Sequence, residues 1–218
     1  MNTNNPNLNS LKLLVIDDHQ IVITGIKYLL KNSFPNADVD GALSVDVLTK
    51  KIKKIRYDLI ILDINIPGAD THSLICLIRT IQESAKILIY SMNSEELFAK
   101  RYLQLGANGY LMKESGEEDI IIAINKLMDG GRYISPRLLE ILSEDVFMGR
   151  SANIFDDLTP REFEIMKHLV KGLGVKEIAT ITNLHHSTVS THKAKIFEKT
   201  STHNILELKE IATMHNLL

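Results

Sequence analysis

The chain has 218 residues, a net charge of -2 and a hydrophobic content of 44%, which suits one large or two small globular domains. The small net charge excludes a chain-wide field for nucleic acid or a membrane surface, so any basic patch must be local. The single cysteine, Cys76, excludes a disulfide framework and fits a reducing compartment, and we expect its thiol to be packed rather than reactive. Without a signal-peptide pattern or a membrane-length apolar run, we expect a cytoplasmic protein.

The first 130 residues alternate short apolar runs with segments of helical spacing, after a mostly polar, uncharged stretch, residues 1–10, that we expect to be disordered. Strands alternating with helices predict right-handed crossovers, and therefore an α/β domain with a five-stranded parallel sheet covered by helices on both faces. The predicted strands are 11–16, 37–42, 59–62, 87–90 and 109–112, and the predicted helices are 21–30, 44–55, 74–81, 95–105 and 117–128.

Polar residues follow four of these five strands, namely Asp17 with Asp18, Asp63, Ser91 and Lys113. The carboxyl ends of parallel strands share one edge of the sheet, so we expect these side chains to converge there. Three neighbouring carboxylates repel one another, and a hard divalent ion such as Mg²⁺ relieves that repulsion. An ionised Asp can also attack phosphorus, and a lysine can pair with a phosphoryl oxygen. A structural ion-pair cluster is the alternative.

Residues 131–155 contain Gly131, Pro136, Gly149 and Ser151, and they predict a partly ordered linker. Within it, Leu138, Leu139, Ile141 and Leu142 suggest a short amphipathic helix. A docking helix on either neighbouring domain is the alternative.

Residues 156–218 have the pattern of a small all-α domain with four helices. Thr159, Pro160 and Glu162 form a capping-box start for the first, and the others are predicted at 175–181, 187–199 and 204–214. Two short helices joined by the tight turn at 183–186 predict a helix-turn-helix, whose second helix enters the major groove of DNA. Between residues 171 and 200 five lysines oppose two glutamates, a modest surplus of three. A solvated helical face is the alternative.

Residues 11–130 resemble the receiver domain of two-component response regulators, which has a flavodoxin-like fold, through LLVIDDH, LIILDINIPG, ILIYSM and GYLMKE. The resemblance implies that Asp63 is the phosphoacceptor and that Lys113 contacts the phosphoryl group. It also implies that Asp18, Asp63 and the carbonyl of Asn65 bind Mg²⁺ directly, while Asp17 acts mainly through water. Ser91 and Tyr110 would form the switch pair, with the aromatic ring moving inwards. Thr71 stands where receivers often have glycine, which leaves the shape of that loop open.

Residues 156–218 resemble the LuxR-type helix-turn-helix through LTPREFEI, VKEIA and TVSTHKAKIFEK, and the whole chain resembles the NarL/FixJ class of response regulators. By this resemblance Val189 and Ile196 are core residues. His185 stands where the family often has a serine cap, and Ser190 and Ala194 where it often has a basic residue, which leaves base readout and affinity open. The residues implied to face the groove are Ser190, Thr191 and Ala194, and those implied to contact the DNA backbone are Thr188, Lys193, Lys195 and Lys199.

These resemblances imply a transcription regulator, not an enzyme, that binds double-stranded DNA after a sensor histidine kinase phosphorylates Asp63. They also imply an active homodimer, with the fourth C-terminal helix as the candidate interface. Two alternatives stay open. In one, the receiver is a phosphorylation-independent dimerisation module; in the other, the chain is a phosphatase, although Asn65 stands where the aspartyl phosphatases have a second Asp. We expect no metal at His185 and His186, because a second ligand pair at zinc spacing is missing.

The sequence thus predicts four segments: a disordered N-terminus at 1–10, a receiver domain at 11–130, a linker at 131–155 and a DNA-binding domain at 156–218.

Overall fold

The computed structural model describes residues 11–64, 66–67, 71–147, 154–214 and 217. The chain divides into two compact units, Met1–Ile141 and Leu142–Leu218. Two expectations, disorder at residues 1–10 and the Asn65 carbonyl as a metal ligand, lie outside the described residues. Within the described ranges, no helix has both the length and the apolar character needed to cross a membrane.

Among its described residues, the first unit contains five strands in one parallel sheet, in the order β2-β1-β3-β4-β5. This arrangement confirms the predicted receiver fold. The strands are β1 (Lys12–Ile16), β2 (Asp38–Ala42), β3 (Leu59–Leu62), β4 (Lys86–Ser91) and β5 (Gly109–Met112). The helices are α1 (Gln20–Ser33), α2 (Val45–Lys54), α3 (Thr71–Ile81), α4 (Glu95–Gln104), α5 (Glu117–Met128) and α6 (Pro136–Phe147), whose last residues belong to the second unit.

The central strand β3 is buried along its whole length, because helices cover both faces of a parallel sheet. On one face, Leu13, Val15 and Leu88 pack against Ile23 of α1 and Ile124 of α5 in one apolar cluster. Strand residues alternate between faces, so Tyr110, whose partner in β4 is Ile89, points to the other face. That face carries α4, which packs on β5.

Strand register decides which side chains meet at the carboxyl edge. Ile16 of β1 pairs with Leu62 of β3, and the amide of Asp63 donates to the carbonyl of Ile16 over 3.0 Å. Asp17 and Asp63 therefore follow adjacent strands at the same level. Ser91 of β4 pairs with Met112 of β5, and the amide of Lys113 donates to the carbonyl of Ser91 over 2.8 Å.

After α6, the described part of the second unit contains a 3₁₀ turn at Ile154–Asp157 and four helices that confirm the predicted all-α domain. The helices are α7 (Pro160–Val170), α8 (Val175–Ile181), α9 (His186–Thr200) and α10 (Ile205–Met214). Thr159 and Glu162 form the predicted capping box, each side chain accepting from the backbone amide of the other residue. Val189 and Ile196 are fully buried, as predicted, with Phe155, Phe163 and Leu208 also in this core.

Three local details differ from, or add to, the sequence expectations. Cys76 is exposed on α3, so the expectation of a packed thiol is wrong: α3 turns this position away from the core. Thr71 is buried, and its hydroxyl donates to the carbonyl of Ile64 over 2.7 Å, which gives this side chain a role in the loop before α3. His185 caps α9, because its Nδ1 accepts from the amide of Ser187 over 3.4 Å.

Candidate functional site

The carboxyl edge of the sheet brings Asp17, Asp63 and Lys113 into direct contact. The Lys113 ammonium donates to Asp17 Oδ2 over 2.5 Å and to Asp63 Oδ2 over 2.8 Å. Asp17 is 1% exposed and Asp63 3% exposed, so both carboxylates lie below the surface. One partly buried cation therefore joins two carboxylates that follow different strands, and this contact offsets part of their mutual repulsion.

Lys113 remains charged in this environment. Burial by itself lowers the pKa of Lys113, but the hydrogen bonds and charges of Asp17 and Asp63 outweigh burial, so the pKa is raised above its usual value. The Lys113 ammonium also lies 6.0 Å from the centre of the Tyr90 ring. The edge thus holds a permanent positive charge within reach of any anion that approaches Asp63.

His19 completes this cluster, and sequence reasoning missed it. Its Nδ1 lies 2.7 Å from Asp18 Oδ1 and 3.2 Å from Asp17 Oδ1, and its amide donates to Asp17 Oδ1 over 2.8 Å. Among the described residues, Asp17, Asp18 and His19 each offer one ligand atom, all within 4.8 Å of one another. The only sequence signal was the position of His19 directly after Asp18.

The donor set at this edge fits a hard divalent cation. Asp18 Oδ1 is buried and makes no hydrogen bond of acceptable geometry, although His19 lies close to it. A buried carboxylate oxygen without a hydrogen bond is costly, and a cation would satisfy it. Carboxylate oxygens are the protein ligands that Mg²⁺ prefers.

Ser91 and Tyr110 lie on neighbouring strands and share one backbone residue, Asn93. The amide of Asn93 donates to Ser91 Oγ over 3.0 Å, and the Tyr110 hydroxyl donates to the carbonyl of Asn93 over 2.8 Å. The Tyr110 ring is completely buried and stacks on Tyr102 of α4 with centroids 6.0 Å apart. Burial raises the pKa of Tyr110, so its hydroxyl stays a neutral donor. The ring already occupies an inward position.

The candidate DNA-contacting residues lie on α9, and most of them face solvent. Thr188, Ser190, Thr191, Ala194 and Lys195 are exposed, whereas Lys193 is half-buried. The hydroxyls of Ser190 and Thr191 donate to carbonyls four residues earlier, each over 3.0 Å, which leaves their oxygens able to accept. The Lys193 ammonium lies 5.5 Å from the centre of the Phe197 ring. This helix face is polar, moderately basic and accessible.

Lys199 differs from the other candidate contacts because its ammonium is already bound inside the second unit. It donates to Glu162 Oε2 over 2.6 Å and to the carbonyl of Asp157 over 3.1 Å. Glu162 is 3% exposed. Burial alone raises the pKa of Glu162, but its bonds to Lys199 and Thr159 prevail and hold it below its usual value. Lys199 remains a predicted phosphate contact, but its geometry favours a structural role.

Two family models match the chain. The response regulator receiver domain matches residues 13–125, and the bacterial regulatory proteins, luxR family, match residues 156–212. The Fimbriae Z protein of Salmonella typhimurium is 34% identical over 209 residues, which are 94% of this chain and 98% of that relative. The response regulator GacA of Pseudomonas aeruginosa is 30% identical over 215 residues, which are 95% of this chain and 98% of that relative.

A solved structure of similar fold is that of RcsB from Salmonella enterica serovar Typhimurium, bound to promoter rprA in the presence of the phosphomimetic BeF3-. It is 23% identical to this chain and superposes with a TM-score of 0.63. The match covers 94% of this chain and 99% of the RcsB chain. At this identity the likeness concerns the fold, which RcsB shares from the parallel sheet to the C-terminal helices.

Proposed function

This chain belongs to the NarL/FixJ class of response regulators, which join a receiver domain to a LuxR-type DNA-binding domain, and we propose that phosphorylation of Asp63 by a sensor histidine kinase controls its binding to double-stranded DNA. The observation that carries this proposal is the bridge from the Lys113 ammonium to the buried carboxylates of Asp17 and Asp63. A nucleophile, a fixed cation and spare carboxylate oxygens at one edge are the parts that phosphoryl transfer to Asp requires.

In the proposed reaction, a carboxylate oxygen of Asp63 attacks the phosphorus of a phosphohistidine. The new bond joins oxygen to phosphorus, and the broken bond is the one between phosphorus and the imidazole nitrogen, which keeps the electron pair. Lys113 exchanges its bond to Asp63 for one to a phosphoryl oxygen and so holds the charge as it develops. Asp17, Asp18 and Asp63, with the carbonyl of Asn65, would hold Mg²⁺, which when bound supplies further positive charge next to the phosphoryl oxygens.

Ser91 is the group that we expect to respond to the phosphoryl group. Its hydroxyl would turn to donate to a phosphoryl oxygen, and the amide of Asn93 would then lose its present acceptor. Because the Tyr110 ring is already inward, the change from this arrangement concerns Ser91 and Asn93 more than the ring. The exposed face of α9 is then the surface proposed to enter the major groove in an active homodimer.

Replacement of the nucleophile tests the phosphorylation step. We expect Asp63→Ala to abolish incorporation of label from a radiolabelled low-molecular-weight phosphodonor in the presence of Mg²⁺, because the accepting oxygen is gone. Asp46→Ala is the matched control, since Asp46 is an exposed residue in the first turn of α2. Undiminished label in Asp63→Ala would contradict the assignment of the phosphoacceptor.

A further inference from the structure

The segment after α5 folds back along the edge strand of the sheet. We refer to residues 133–138 as the clasp. The amide of Tyr133 donates to the carbonyl of Asn108 over 3.0 Å, and Tyr133 forms an isolated parallel bridge with Gly109 of β5. Tyr133 is 7% exposed and Leu138 is 1% exposed, so both ends of the clasp are buried in the first unit.

Gly109 makes room for the clasp. A Cβ atom at this position would lie 2.9 Å from Tyr133 Cβ and 3.2 Å from the carbonyl oxygen of Tyr133. It would also lie 3.0 Å from Leu88 Cδ1. Any larger residue would therefore push the backbone of the clasp away from β5, and glycine permits this close approach.

The middle of the clasp binds the first turn of α4. Ser135 Oγ donates to Glu95 Oε1 over 2.8 Å. Ser135 Oγ also accepts from the amide of Leu138 over 3.0 Å, and this hydrogen bond caps the start of α6. Arg137 Nε donates to Glu96 Oε1 over 3.1 Å. The first two residues of α4 thus bind Ser135, which precedes α6, and Arg137, which lies in its first turn.

The same turn of α4 adjoins the switch residues. Asn93 binds both Ser91 and Tyr110 through its backbone, and only Ser94 separates it from Glu95. Glu95 in turn binds Ser135 of the clasp, and its negative charge, after burial, helps to raise the pKa of Tyr110. Hydrogen bonds at Asn93 and at Glu95, together with the short backbone segment 93–95 between them, therefore connect Ser91 with Ser135.

We propose that the clasp holds the start of α6 on α4 in the unphosphorylated chain and that phosphorylation of Asp63 breaks these contacts. This inference rests on the proposed function. When Ser91 turns to the phosphoryl group, Asn93 and the first turn of α4 shift, and the contacts of Glu95 and Glu96 with Ser135 and Arg137 are lost. Release frees the start of α6, whose last residues belong to the second unit.

Hydrogen–deuterium exchange of the full chain tests the release. Beryllofluoride with Mg²⁺ serves as the phosphoryl mimic, and its fluorine NMR signal reports its binding at Asp63. We expect amides of residues 138–140 to exchange several-fold faster when the mimic is bound. A bound mimic with unchanged exchange at 138–140 overturns the clasp and leaves the proposed function intact. If the mimic does not bind, both the proposed release of the clasp and the proposed function are overturned.

Charge reversal tests the opposite direction of the coupling. If the clasp opposes phosphorylation, breaking it favours the phosphorylated arrangement, because coupling between two sites is reciprocal. Arg137→Glu should therefore increase the apparent affinity for beryllofluoride by about two- to fivefold, the range that an exposed ion pair supports. Adding Glu96→Arg to Arg137→Glu should restore the original affinity by re-forming the pair.

The matched control is Arg132→Glu, which makes the same change of charge at an exposed residue that forms no hydrogen bond or ion pair with the described residues. An equal increase in Arg132→Glu and Arg137→Glu would show a general charge effect and would overturn the role of the ion pair. If the double reversal fails to restore the affinity for beryllofluoride, the role of the ion pair is overturned as well. In both cases the fluorine signal would still report an intact phosphoacceptor site.

Discussion

Lys195 and Lys199 lie four residues apart on α9, yet their ammonium groups have different environments. Lys195 is exposed, whereas Lys199 is bound to the buried Glu162. Each phosphate contact made by a lysine releases counterions and adds about 0.9 to the slope of log affinity against log salt. We predict that Lys195→Gln lowers this slope by about one contact, while Lys199→Gln weakens DNA binding with the slope unchanged.

The measurement is the affinity for a DNA site, selected from random duplexes by the full chain, at several salt concentrations. Lys199→Gln should also lower the melting temperature of the second unit, because Glu162 loses its charged partner. Equal slope reductions in the two variants would restore Lys199 as a phosphate contact. An unchanged slope in Lys195→Gln would remove Lys195 from the DNA interface.

The ion pair of Glu162 also leads us to a prediction of how the stability of the second unit depends on pH. Burial opposes ionisation of Glu162, but Lys199 and Thr159 hold its pKa below the usual value of 4.5. The folded state therefore binds its proton less tightly than the unfolded chain does. The resulting stabilisation is fully present above the unfolded pKa and is lost as the pH falls below about 4.5 and through the folded pKa.

Hydrogen exchange in α7 and α9 of the full chain, followed from neutral pH down to about pH 3, measures this loss. Glu162→Gln should be less stable at neutral pH and should show a smaller further decrease on acidification. A wild-type chain whose α7 and α9 keep constant protection across this range would contradict the assigned ion pair.

Two glycines in regular elements predict opposite effects of the same substitution. Gly25 lies in the middle of α1, and a Cβ there meets nothing within 4 Å. Gly25→Ala should stabilise the first unit by about 0.5–1 kcal/mol, because glycine is a poor helix former. Gly109→Ala should destabilise it by about 1–3 kcal/mol, because the added atom would press on Tyr133 and Leu88.

Thermal unfolding of the two variants beside the wild-type chain checks both signs, with a shift of several degrees expected for each kcal/mol. The two substitutions add the same methyl group, so they control for each other. A Gly109→Ala chain as stable as the wild type would show that the clasp can move away from β5 without cost.

At the level of elements, the sequence predicted the sheet and the helices because their signals are local. The run Leu59–Leu62 and the alternation of strands with helices are sufficient to place β3 and to imply parallel neighbours, and the strand order confirmed this. The convergence of Asp17, Asp63 and Lys113 was predictable for the same reason, since each directly follows a strand.

What the sequence did not predict depends on partners far apart in the chain. The bond from Lys199 to Glu162 joins residues 37 positions apart, and the bond from Ser135 to Glu95 joins residues 40 positions apart. No periodicity within a helix encodes such pairs, because the angle at which two helices pack decides which side chains meet. The exposure of Cys76 was missed because helical spacing alone left its face of α3 undecided.

At the scale of the whole molecule, the proposed function couples Asp63 in the first unit to α9 in the second unit. Phosphorylation adds about 1.5 to 2 negative charges, comparable with the net charge of -2 of the whole chain. Salt screens exposed charges beyond about 10 Å at 0.1 M ionic strength, so a phosphoryl group on Asp63 would act mainly on the residues around it. Control of DNA affinity therefore requires two conformations that the phosphoryl group and the DNA stabilise to different degrees.

This requirement gives a prediction that separates the proposed function from a receiver that only dimerises. If beryllofluoride with Mg²⁺ tightens DNA binding by some factor, DNA must tighten beryllofluoride binding by the same factor, because the coupling free energy is shared by both sites. We expect a factor between about 5 and 150, the usual range of such couplings.

Two titrations measure these two factors: a DNA titration with and without the mimic, and a fluorine NMR titration of the mimic with and without DNA. Both use one fixed chain concentration, because dimerisation would otherwise alter both factors. Asp63→Ala, which should not bind the mimic, must give the unstimulated DNA affinity under both conditions. A factor of one in both titrations, with the mimic demonstrably bound, would favour the phosphorylation-independent dimerisation module over the switch.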